Sequence, residues 1–434
     1  MILIVLNIIF WEIILLIIFF IFIFILKFPI INYFEFFYSR GLQINNRRFL
    51  LFLLCVLSFR WANICVSSYY QNDNKNSLIM LNITLILFLI MFFFSSETLN
   101  LYIIFELAVL PIFMIIIGWG YQTERLEASL RLLFYTVTAS LPLLGIYLWI
   151  YFSSLTTNLI LIDKIIILNN SITSKIVIFC LLAAFLVKLP IYGVHIWLPK
   201  AHVEAPVFGS IILAAILLKL GRFGIWIFVP YIYLDRVNIF ISIRLVGGVL
   251  VRILCLRLTD LKIIIAYSSV RHIGCVLVPI FISNRISSFS GMLLILAHGV
   301  RSSAIFLISF YLYQRNYSRR LLITKGLLIS SSMISLFWFI ILIINIAAPP
   351  TINLLAEILV IARRIYQNSF NFILFILIIV LGTAYRLIIF SSSIQGNKTQ
   401  RINLKILNLN ESLILANHLI WGFTLILAIS ICNF

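Results

Sequence analysis

The chain has 434 residues, 63% of them hydrophobic and only 10% charged, with a mean hydropathy of +1.17. That balance excludes a soluble enzyme, a secreted disulfide scaffold and a disordered regulator, and it requires the length to be filled by membrane-spanning helices of roughly 20 residues each. A net charge of +19 would ordinarily point to anionic lipid or nucleic acid, but many of the arginines lie inside apolar runs instead of in loops.

In chain order, apolar stretches run near residues 2–26, 50–68, 78–95, 99–118, 130–153, 176–196, 206–220, 223–234, 237–257, 261–283, 287–313, 327–346, 350–361, 370–390 and 412–432. The first is longer than a signal-peptide core, has no basic leader and shows no small-residue cleavage site, so it reads as a retained helix. A stretch under roughly 17 residues has to be half of an interrupted helix or a re-entrant piece, and merging the short ones gives about 13–14 spans. Polar breaks around Gln43–Arg48, Gln71–Asn76, Gln122–Glu127, Arg315–Lys325 and Gln395–Lys405 leave room for loops but for no extramembrane domain. The expected class is therefore an all-α membrane protein, with N-terminal helices in 1–96, a core in 97–390, and a loop and helix in 391–434.

Prolines mark two interruptions. Pro190, Pro199 and Pro206 lie close together, and each removes a backbone donor and bars a regular helix one turn earlier. Pro349-Pro350 forces a second break, flanked by Asn345 and Asn353. Two interrupted helices carrying ionisable residues, in comparable places of two halves, are the sequence signature of an inverted-repeat transporter. Prolines that only kink helices for packing are the bland reading, and the coincidence with buried charge argues against it.

Within these apolar stretches stand Glu106, Lys188, His195, His202, Glu204, Lys219, His272, His298 and Glu357. An acid or base at a helix centre costs about 2.5–3.5 kcal/mol on insertion scales, so such groups pair or line water. Glu106 has no basic residue four positions on; its counter-charge must come from another helix, with Lys188 or Lys219 as candidates. Lys188 precedes Pro190 by two residues, where the break frees carbonyls for its ammonium. A carboxylate that approaches or withdraws would make it a protonation switch. Lys219 stands just before Gly221 and reads equally as a buried relay or as a lysine complementing a helix C-terminus. His272 and His298, in neighbouring spans near Tyr267, Ser268 and Ser269, suit stepping stones for protons. Glu357 lies two turns beyond Pro350. No nucleophile triad, phosphate loop or dinucleotide fingerprint is present. The six cysteines, at 55, 65, 180, 255, 275 and 432, form no metal-spaced cluster and read as packing residues. These groups form an axis for moving ions.

The block Phe185–Ser210, with Lys188-Leu-Pro and His195-Ile-Trp-Leu-Pro-Lys-Ala-His-Val-Glu-Ala-Pro, carries a resemblance. Trp119-Gly-Tyr-Gln-Thr-Glu-Arg-Leu, Ala266-Tyr-Ser-Ser-Val, Ala297-His-Gly and Ala348-Pro-Pro-Thr-Ile-Asn-Leu-Leu extend it over roughly 97–390. Together they resemble the antiporter-like, proton-pumping membrane subunits of NADH:ubiquinone oxidoreductase, respiratory complex I. The resemblance implies a multi-pass subunit of the mitochondrial inner membrane, with no redox cofactor of its own. Its implied partners are the other membrane-arm subunits and the lipid bilayer, not nucleic acid. It also implies that Glu106 is the pumping carboxylate, Lys188 its partner, Lys219 the central relay and Glu357 the terminal exchange residue. His272 and His298 become relay or hydration sites, with His195, His202 and Glu204 supporting the path. A cation/proton antiporter of the Mrp type would use the same groups, and a passive structural subunit would use their charges only to set helix register.

Arg222, Arg244, Arg252, Arg271, Arg301, Arg320, Arg363 and Arg386 depart from the pattern of the resemblance, which implies Ser, Gly or another small residue at most of these positions. A fixed cation beside His272 or His298 would repel protons. The hypothesis that follows is that AGA/AGG codons, written here as Arg, are decoded as Ser in the organelle. Losing eight cations would take the formal charge from +19 to +11. Genuine arginines paired with partner subunits or lipid phosphates are the alternative.

Overall fold

A computed structural model describes residues 46–69, 74–154, 157, 172–229, 237–282, 285–365, 369–396 and 407–425. The expected first span, near 2–26, lies outside them. The described residues are helical apart from turns, short extended stretches and isolated bridge residues, among them the pair Asp260 and Arg320. Eight helices among them are long and apolar enough to cross a membrane, and three shorter apolar helices accompany them.

The first helices are α1 Asn46–Tyr69, α2 Asn74–Phe94, α3 Thr98–Leu107 and α4 Val109–Trp119. Pro111 has no N–H to offer the carbonyl of Leu107, and the helix turns at Ala108, two residues after Glu106. Helix α5 spans Arg125–Ser154 and α6 spans Ile172–Lys188. Helix α6 stops where Pro190 makes a further turn impossible, and the chain passes through turns to α7, Trp197–Glu204. Gly193 takes φ +105° in that passage, a conformation that suits glycine alone. The Trp197 indole bridges the interruption by donating to the Val187 carbonyl at 3.2 Å.

Pro206 ends α7 in the same way, and Lys262 closes its C-terminal end by donating to the carbonyls of Val203 (2.9 Å) and Ala205 (2.8 Å). Beyond Pro206, α8 runs unbroken over Val207–Phe228, where the sequence suggested two segments, 206–220 and 223–234. Helical geometry continues through Gly221 because that glycine meets a neighbour: a Cβ there would lie 2.8 Å from the Phe185 carbonyl and 3.4 Å from the Lys188 Cβ. One helical turn along, the Phe185 ring fills the space that a Cβ on Gly224 would need. These two glycines let α8 approach α6 at the level of Lys188. A π-helical turn, Leu213–Leu217, lies within α8 immediately before Lys219.

Next come α9 Val237–Arg257, α10 Leu261–Ile282 and α11 Arg285–Asn316. Helix α11 is the centre of the molecule, with 94% of its apolar stretch buried, against 33% for α2 and α5. The outer helices leave apolar side chains such as Leu87, Phe134 and Phe152 exposed, as a lipid-facing surface requires. Short α12, Leu327–Ser330, precedes α13, Ser332–Ile346. Helix α13 ends at Ala347, and the chain resumes as α14, Ile352–Ile365, after Pro349-Pro350. Helices α15, Ser369–Ile394, and α16, Leu409–Thr424, complete the described chain. Glu411 forms a capping box with Asn408 at the start of α16 and pairs with Arg315 near the end of α11 at 2.8 Å, which ties the two helices together.

Candidate functional site

The interruption after α6 and the turn between α3 and α4 bring the first pair together. Lys188, fully buried, has its Nζ 3.8 Å from Glu106 Oε1, so the charges face each other across a gap too long for a hydrogen bond. Its donor goes instead to the Phe105 carbonyl, and the ammonium sits over the Phe105 ring, 3.0 Å from the centroid. Glu106 Oε1 accepts no hydrogen bond. Of the two counter-charges the sequence left open for Glu106, the structure selects Lys188.

Lys219 is the second centre. It lies within α8, not at a helix end, so the dipole-complementing alternative does not apply. Its Nζ donates to the Ala214 carbonyl at the π-helical turn and lies 3.2 Å from His298 Nδ1. His298, on α11, is 6.0 Å centroid to centroid from His272 on α10. All three side chains are buried. Glu357, on α14, is also buried, and Asn353 Nδ2 donates to its Oε1 at 3.3 Å. Arg301 and Arg386 lie within electrostatic reach of Glu357. Beside them, a cavity of about 20 Å³ lined by Arg301, Thr351, Asn353 and His418 has room for one water.

Residues Lys219, His298 and His272 therefore form one connected group. Glu106 and Lys188 form another, joined to it by the α6–α8 approach at Gly221 rather than by side-chain contact. His195, His202 and Glu204 fall elsewhere. His195 stacks on Tyr192 at 5.1 Å and accepts from the Gly193 N–H. His202 stacks on Phe306 at 4.5 Å with neither ring nitrogen hydrogen-bonded. Glu204 lines an open cavity of about 720 Å³ shared with Glu124, Glu127, Lys200, Lys262 and Arg319. This cavity takes in the end of α7 through Pro199, Lys200, Val203 and Glu204, while His202 is not among the residues that line it.

Lys262 and the Arg315–Glu411 pair are polar elements that the sequence analysis did not single out. Lys262 stands at the start of the apolar stretch 261–283 and opens α10, where the carbonyls at the end of α7 are brought against it. Arg315 reads as a loop residue in the sequence, yet it is 5% exposed and meets an acid 96 positions away.

Six of the eight unusual arginines are buried: Arg222, Arg244, Arg252, Arg271, Arg301 and Arg386. Arg320 is exposed in the segment after α11, so the argument from burial does not reach it. The Arg363 side chain lies outside the described residues. Arg244 donates to the Leu189 carbonyl at 3.1 Å, and Arg252 lies over the Tyr385 ring at 4.6 Å.

Residues 95–383 match the family described as NADH:quinone oxidoreductase/Mrp antiporter, TM. NADH-ubiquinone oxidoreductase chain 4 of Ceratitis capitata is 36% identical over 350 residues, covering 79% of this chain and 77% of that protein. A chain of the respiratory complex I of Thermus thermophilus with bound NADH superposes with a TM-score of 0.77 at 19% identity, over 90% of this chain and 85% of that one. A chain of the Mrp complex from Dietzia sp. DQ12-45-1b gives the same TM-score at 16% identity, over 90% and 83%. These two structural likenesses establish the fold.

Proposed function

The chain belongs to the NADH:quinone oxidoreductase/Mrp antiporter transmembrane family, with NADH-ubiquinone oxidoreductase chain 4 among its relatives, and we propose that it is a proton-translocating subunit of that oxidoreductase. It serves the enzyme without a redox centre of its own, in the mitochondrial inner membrane, beside other membrane-arm subunits. The observation that carries the proposal is the series of half-buried Glu106 facing buried Lys188, and buried Lys219–His298–His272, laid across separate helices of an apolar bundle.

The geometry supports an electrostatic mechanism. Lys188 and Glu106 attract each other without a hydrogen bond to hold them, so a change outside the chain can tighten or part the pair. Parting it unbalances the ammonium, and proton transfer through Lys219, His298 and His272 toward Glu357 restores neutrality. Moving one charge against the membrane potential costs about 2.3 kcal/mol per 100 mV. Electron transfer elsewhere in the assembly supplies that energy. The cavity at Glu204 serves as the opening to one aqueous side, with His202 behind it.

A cation/proton antiporter is the second reading, favoured by the Mrp likeness. The chain should co-purify with NADH dehydrogenase activity, and its vesicles should pump protons when NADH is oxidised. Sodium-dependent proton exchange by the isolated chain, without such co-purification, would establish the antiporter instead.

A further inference from the structure

Four of the buried arginines converge on one place. Arg271 Nη1 lies 3.1 Å from His272 Nδ1, while Arg386 Nη2 approaches His272 Nε2 from the other side. A guanidinium only donates, and a neutral imidazole accepts at one nitrogen and donates at the other. Both contacts therefore cannot be hydrogen bonds at once: one of them sets a donor against a donor. Arg301 and Arg252 stand within electrostatic reach of the same group, and Glu357 is the acid that faces Arg301 and Arg386. All three nitrogens of Arg252 lack a hydrogen-bond partner, as do two each of Arg271 and Arg301. Four guanidinium groups within reach of His272, with Glu357 the acid facing two of them, leave an excess of three positive charges among the described residues of this buried cluster. Even one buried charge without a partner is strongly destabilising.

The helix surfaces around these positions are shaped for small side chains. Arg252 lies one turn after Gly248 on α9, and its guanidinium fills the space that a Cβ on Gly382 of α15 would need. Glycines on both sides of a helix crossing serve close backbone approach, which a long cation between them defeats. Arg271 follows Ser268 and Ser269, and Arg301 precedes Ser302 and Ser303. Each of those serines satisfies its hydroxyl on a carbonyl of its own helix, at 2.6 to 2.7 Å. A serine at 252, 271, 301 or 386 would do the same without another partner.

We infer that positions 252, 271, 301 and 386 carry serine in the chain that is assembled in the membrane, their codons being AGA or AGG read as serine by the organelle. Serine at 271 and 386 would leave open the places beside His272 that the two guanidinium groups now fill, space that water would take. This inference rests on reading the chain as a mitochondrial membrane-arm subunit; it concerns what stands beside His272 and Glu357, not whether those groups move protons, so the two readings fail separately.

Mass spectrometry of the chain, isolated with its complex from the source mitochondria, tests it. Peptides spanning each position should carry the seryl residue mass, and trypsin should cut after Arg125 and Arg257 but not after positions 252, 271, 301 or 386. Arginine mass at these four positions, with cleavage after them, overturns the inference. That result would instead require an anion in the cluster.

Discussion

Replacing Glu106 by Gln keeps the shape of the side chain and removes its charge. Lys188 Nζ is 3.8 Å from Glu106 Oε1. At the effective dielectric of about 20 that suits protein sites, two unit charges at that distance interact by about 4 kcal/mol. This exceeds the ~2.3 kcal/mol needed to move one charge through 100 mV, so the pair is strong enough to drive a coupled transfer. Glu106→Asp withdraws the carboxylate by about one carbon–carbon bond and leaves about 3 kcal/mol. The expected order of pumping efficiency is therefore wild type, then E106D, then E106Q, with E106Q near zero. The assay is proton uptake into vesicles holding the assembled complex, divided by NADH oxidised in the same sample. Assembly is checked by native electrophoresis, so that a folding defect is not mistaken for uncoupling. Full pumping per NADH in E106Q would refute the reasoning and leave the charges a structural role only.

Three further outcomes follow from other contacts. Lys219→Met removes the group 3.2 Å from His298 and should abolish pumping per NADH while Arg125→Lys, at the start of α5, leaves it within a factor of two, as read in the same vesicle assay. Gly224→Ala forces a methyl into the Phe185 ring, and overpacking of this kind costs about 1–3 kcal/mol, so thermal stability of the complex should fall. Glu411→Gln strands the buried Arg315 and should destabilise by about 3–5 kcal/mol, whereas the double change Arg315→Met with Glu411→Leu should recover most of the loss. A double-mutant cycle on melting temperature measures that coupling, and simple additivity would argue against the pair.

Much of the site was legible because membrane insertion makes ionisable residues expensive. Glu106, Lys188, Lys219, His272, His298 and Glu357 stand out in an apolar text before any contact is known. Interruptions at Pro190 and Pro206 were equally legible, since a missing N–H acts locally, within one turn. Continuity of α8 was not: Gly221 looks like a terminus until Phe185 and Lys188 are seen against it. Nor was the function of Lys262, whose partners are carbonyls left bare by Pro206 some fifty residues earlier.

Sequence by itself determined that this chain is a bundle of membrane helices, where it must break, and which side chains carry charge into the interior. Hydropathy and proline chemistry are local properties, so they can be read one segment at a time. Only the tertiary structure decided that Glu106 faces Lys188, that Lys219 meets His298, and that Glu204 opens on a cavity while Arg315 does not reach water. Those relations depend on how α6, α8, α10 and α11 cross, and helix crossing is set by side chains far apart in sequence.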